Sequence, residues 1–167
     1  MPIFVRTIEA TTWRKTAPAC ADEVCADAIT GTRGRGLGTL GNTLSVWEIP
    51  HEGELEKAIL AIVSGYERLE TVDVVMLDRS AIEAAGIRIQ NNTGRTPFKE
   101  FENKHHDLLD LNYKSLGQLA GLIVSELDTG RVKRVRLAEA EKLVRKAIAG
   151  GTIHPENLKE SMRAQIA

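Results

Sequence analysis

Apolar and polar positions repeat along this chain with periods that change from segment to segment. Between residues 44 and 78 the pattern reads strand, helix, strand. Leu44–Ile49 is short and β-prone, and Pro50 stops it. Glu52, Glu54 and Glu56 lead into an apolar helix over 55–66, placing acid where a helix N-terminus favours negative charge. Val72–Asp78 is an almost unbroken apolar run, the pattern of a strand covered on both faces. A crossover of this length can join parallel strands, so 44–78 is expected to be a βαβ unit. On a helical wheel only Lys57 and Ser64 mark a polar edge of its helix, and Trp47 and Tyr66 are expected in the same core.

The flanking segments are read in the same way. Ile3–Ile8 predicts a first strand that could run on to Trp13, followed by a short helix over 19–29. Five glycines in residues 31–42 predict a loop, because ordering glycine costs the most backbone entropy. Ser80 and Glu83 have capping-box spacing, Gly86 supplies a stop, and Ile87-Arg88-Ile89 suggests a short strand. Thr96 and Pro97 predict a helix start, with Phe98, Phe101, His105 and Leu108 along its inward stripe. Leu116, Leu119, Ala120, Ile123 and Leu127 make another helix ending near Gly130; Gly117 and Gly121 on it would allow another backbone to approach. Leu137–Ala149 is amphipathic, and after Gly150-Gly151 and Pro155 a last helix aligns Leu158, Met162 and Ile166.

The expected fold class is α/β (or α+β): a small mixed sheet around the 44–78 unit with a mostly helical C-terminal half. Residues 1–167 are expected to form a single domain, with 1–95 the sheet-containing part and 96–167 a helical part packed on it. With 43% hydrophobic and only 4% aromatic residues, the core is expected to be aliphatic. No apolar window is long enough for a membrane span and no signal pattern is evident, so a cytoplasmic protein with no membrane contact is expected.

Charge changes the picture more than composition does. The net charge is −1, but residues 1–50 carry zero, 51–110 carry −5 and 111–167 carry +4. The basic surface candidates are Arg131, Lys133, Arg134, Arg136, Lys142, Arg145 and Lys146, a local excess of +5 over 131–146.

Candidate chemistry is sparse. Parallel strands ending on one side would bring Glu48, His51 and Asp78 to a shared rim, where ligand crevices of open sheets lie. These three are the candidate catalytic residues. Arg33 and Arg35 in the glycine-rich loop are candidates for anion binding or a lid, although the loop follows a helix and opens a strand, opposite to a dinucleotide fingerprint. Glu102, His106 and Asp110 would share a helix face at metal-ligand spacing, but a solvated face is the plainer reading. Cys20 and Cys25 would lie about 140° apart on a helix, poor geometry for a disulfide or shared metal. No metal and no cofactor is therefore expected.

Three functions follow in order. The first is a non-enzymatic interaction or regulatory protein, an accessory subunit or inhibitor, acting on a protein partner. The second is a small enzyme acting on an anionic or nucleotide-like substrate at the Glu48/His51/Asp78 rim. The third is nucleic-acid binding through 131–146, which lacks interleaved aromatics for stacking.

Overall fold

The computed structural model describes residues 1–10 and 43–167. The expected run of the first strand to Trp13, the helix over 19–29 with Cys20 and Cys25, and the glycine-rich loop with Arg33 and Arg35 lie outside the described residues.

Six strands form one sheet: β1 (Ile3–Ile8), β2 (Leu44–Ile49), β3 (Val72–Asp78), β4 (Arg88–Asn91), β5 (His105–Leu109) and β6 (Val132–Val135), in the order β4-β5-β2-β1-β3-β6. The helices are α1 (Leu55–Ser64), α2 (Arg79–Ala84), α3 (Tyr113–Thr129), α4 (Leu137–Ala149) and α5 (Glu160–Ile166), with short 3-10 turns before α1, before β5 and between α4 and α5. The chain thus has the expected α/β fold with a largely helical C-terminal half. Its ladders are all antiparallel.

The unit over 44–78 forms as strand, helix, strand, but it is split. β1 pairs antiparallel with both β2 and β3, so those two run parallel to each other with β1 between them. The insertion is favourable because Ile3–Ile8 carries apolar side chains on both faces, Ile3 and Val5 on one and Phe4 and Ile8 on the other, and five of its six residues, Arg6 among them, are buried there.

Alternation along the strands divides the core in two. On one face Ile3, Val5, Ile49, Val74, Met76 and Val135 pack with α1, α4 and α5. On the other, Phe4, Ile8, Val46, Val75, Leu77 and Leu108 pack with α2 and α3. Ala58 to Ser64 of α1 are all buried, as its nearly uniform apolar circumference requires. Ser64 is not part of a polar edge: its hydroxyl is fully buried, 3.3 Å from Thr96 Oγ1, and Thr96 in turn donates to the Ala61 carbonyl at 2.9 Å. α3 is held at its start by Asn112, whose side chain accepts from the Lys114 and Ser115 amides, and at its end by Gly130 in a left-handed conformation.

Two local expectations are corrected. Residues 98–110 do not form a helix. A 3-10 turn over Lys99–Lys104 leads into β5, and His105 and His106 pair opposite Trp47 and Val46 on the edge that β2 would otherwise leave open. Tertiary strand pairing overrides the local 3–4–3 spacing, although Phe98, Phe101 and Leu108 are all buried as that spacing implied. The Ser80/Glu83 capping box also fails to form. α2 begins at Arg79, and Glu83 accepts from Arg79 Nε at 2.9 Å. At Gly117 and Gly121 an added Cβ would meet nothing within 4 Å, so no backbone of the described chain uses the space they leave.

Candidate functional site

The strand ends come first, because the split unit does bring Glu48 and Asp78 to one rim. Phe4 is in register with Glu48 on one side and Leu77 on the other, and Ile3 with Ile49 and Asp78. With β1 between them the backbones of β2 and β3 are roughly 10 Å apart, and alternation sends Glu48 and Asp78 to opposite faces.

Each carboxylate is engaged by its own arginine. Arg79 donates to Glu48 Oε2 at 2.6 Å and lies over the Phe4 ring, 5.8 Å from its centroid. Arg131 donates to Asp78 Oδ1 at 3.0 Å and also stands 3.3 Å from Glu52 and 3.3 Å from Glu126. The guanidinium of Arg79 is held more firmly protonated by its hydrogen bonds to Glu83 and Glu48, and that of Arg131 by its bond to Asp78. The two ion pairs do not converge on a common reacting atom.

His51 does not join them. It is exposed, its carbonyl accepts from the Glu54 amide at 3.0 Å, and its ring lies against Gly53. The histidine at the rim is His106, buried on β5 with Nε2 3.7 Å from Glu48 Oε2 and its ring 5.3 Å from that of Phe4. Its inward direction was hidden by the helical reading of 98–110; the signal that could have found it is the alternation of His106 and Leu108 within a short run. The face of Glu102, His106 and Asp110 does not exist, since they occupy a 3-10 turn, a strand and a left-handed turn where Asp110 pairs with Arg88. Among the described residues no group of three His, Cys, Asp or Glu side chains is placed to hold a metal ion.

The basic segment does not form one surface. Arg131 belongs to the rim cluster just described. Lys133 bonds Glu139 at 2.9 Å, and Arg134 stands 3.8 Å from Asp73. Arg136 caps the start of α4 without a side-chain bond, and Arg145 is exposed on that helix. Lys142 and Lys146, one turn apart on α4, make no ion pair among the described residues.

Lys133, Lys142 and Lys146 nevertheless meet in one place, a groove of about 310 Å³ between α1, β6 and α4. Its apolar lining is Ile59, Val135 and Leu143, and Glu56 and Glu139 complete it. The local sequence explains the arrangement. On α4 the buried stripe is Ala140, Val144 and Ala147, so Lys142 and Lys146 flank it on the solvent side, with Leu143 turning inward between them. On β6 alternation sends Lys133 and Val135 to the α1 side of the sheet and Val132 and Arg134 to the other. Sequence spacing found each lysine but not the groove, which requires knowing that β6 is an edge strand beside α1.

No helix among the described residues is long and apolar enough to cross a membrane. Large exposed hydrophobics in the described chain are only Met1 and Leu137, so this surface offers no broad apolar patch. Compared with known proteins, the chain matches no family model, no curated protein and no solved structure.

Proposed function

We propose that this is a non-enzymatic cytoplasmic interaction or regulatory protein, and that its contact surface is the groove between α1, β6 and α4, which receives an acidic segment of a partner protein. The observation that carries the reading is the position of Lys142 and Lys146, which make no ion pair among the described residues, on one wall of the groove beside the half-buried Leu143, with Lys133 bonded to Glu139 across from them. Lysines at the border supply steering and specificity, and the half-buried Leu143 is the apolar side chain there that a partner covers. The mixed lining favours a polypeptide with acidic and apolar side chains over a uniformly charged polyanion. The dispersal of Arg131, Lys133 and Arg134 into pairs with Asp78, Glu139 and Asp73 weighs against a continuous phosphate-binding stripe. A rim enzyme has less support, because Glu48 and Asp78 are each bound by an arginine and His51 lies elsewhere.

The test is a titration with two labelled octapeptides, one of alternating Glu and Val and one of Glu alone. The alternating peptide is expected to bind several-fold more tightly, more weakly as salt rises, and at least tenfold less well to the Lys142→Glu/Lys146→Glu variant. Equal binding by the variant would overturn the proposal. So would a dissociation constant for generic duplex DNA below about a micromolar at physiological salt, tighter than ordinary non-specific binding.

A further inference from the structure

Among the described residues β6 is the last strand of the sheet, and its Lys133 and Val135 line the basic groove. The register fixes which backbone groups that edge presents. The Met76 amide donates to the Arg131 carbonyl at 3.1 Å, and Val75 is in register with Val132, Val74 with Lys133 and Val72 with Val135. In an antiparallel ladder hydrogen-bonded pairs alternate with non-bonded ones. Lys133 and Val135 therefore exchange their bonds with β3, while the N–H and C=O of Val132 and Arg134 point away from the sheet.

We infer that the partner's acidic segment binds as an extended strand added to the edge of β6 that no described strand pairs, hydrogen-bonded to the backbone of Val132 and Arg134, with alternate side chains entering the groove. The inference rests on the groove proposed above and names the mode in which it is filled. Charge selects the occupant. An added strand places its side chains alternately beside Lys133, with Lys142 and Lys146 behind it, and beside Arg134, whose side chain is 60% exposed. Acidic residues are favoured on the face toward Lys133, Lys142 and Lys146. A second copy of this chain pairing antiparallel through the same edge would set either Lys133 or Arg134 against its own counterpart, the like-charge arrangement by which proteins keep edges from self-association. A foreign acidic strand reverses that penalty.

The experiment uses the full chain and residue-resolved amide exchange by NMR, with and without saturating alternating Glu–Val octapeptide. The Val132 and Arg134 amides are expected to exchange rapidly in the free protein and to slow at least tenfold in the complex, while Lys133 and Val135, already bonded to β3, change little. A strand pairs through the amides of every second residue, so N-methylating one alternate set of the peptide should weaken binding at least tenfold and methylating the other should leave it nearly unchanged. Binding that depends on Lys142 and Lys146 with no slowing at Val132 and Arg134, or with both methylated peptides bound normally, would overturn strand addition and leave the groove standing. Failure of the peptide to bind at all would overturn both.

Discussion

Gly94 shows how much one position constrains this fold. Its amide donates to the Glu102 carbonyl at 2.8 Å, and a Cβ added there would overlap Trp47 Cη2 and lie 2.7 Å from the Cβ of His105. The Trp47 ring is itself packed against His105 and Phe101, with centroids 5.0 and 6.0 Å away. Gly94→Ala should therefore cost on the order of 1–3 kcal/mol through overpacking, read by denaturant unfolding. Gly117 and Gly121 are the opposite case. Both sit in the interior of α3 with open space beside them, so alanine at either should stabilise by about 0.4–1 kcal/mol by reducing unfolded-state entropy. A loss of stability at both would mean that something covers that face. His105 gives a pH dependence. Burial disfavours its imidazolium and lowers its pKa, Asp107 pulls it back up and His106 pushes it further down. The unfolded chain then binds the proton more readily than the folded one. The stability this group contributes is complete above about pH 6.5 and is lost as pH falls below that value. The melting temperature should drop on acidification through this range, and the drop should be smaller in His105→Gln.

At the scale of elements, α1 is the firmest structural expectation. Ile59 is 1% exposed between the sheet and α4, and Ile59→Ala should cost about 2–5 kcal/mol. A loss under about half a kcal/mol would make α1 peripheral. Long single-period segments were the legible ones. β1, β2, α1, β3, α3 and α4 can all be read from apolar spacing and from Pro or Gly stops, because burial of one face or of both dictates the pattern. The misread segment, 98–110, mixes an aromatic turn with a five-residue strand, and its spacing fits a helix by coincidence. What decided it was the open edge of β2, a property of another part of the chain. The site divides in the same way. Glu48 and Asp78 could be brought to one rim from strand direction alone, but their arginine partners could not, since Arg79 and Arg131 reach them only through the order of β1, β3 and β6. His51, adjacent in sequence to the rim, is displaced from it by the turn that it caps.

Over the whole molecule, the uneven charge of the sequence is partly resolved internally. Acids of the middle segment meet bases of the last one at Asp78 and Glu52 with Arg131 and at Asp73 with Arg134. What remains for an outside partner is the groove with Lys142 and Lys146. Exposed pairs of this kind contribute about 0–1 kcal/mol each, so raising salt toward molar concentration should weaken acidic-peptide binding steeply while moving the melting temperature little. A melting temperature that collapses with salt would mean that the ion pairs hold the fold together. The groove and the rim make opposing claims to be the functional surface, and amide chemical-shift mapping of the full chain during addition of the alternating Glu–Val octapeptide separates them most directly. The expected result is a compact set of shifts at Lys133, Val135, Lys142, Leu143 and Lys146, with Phe4, Glu48, Asp78 and His106 unmoved. Shifts centred on Glu48, Arg79, His106 or Asp78, with the groove silent, would contradict it.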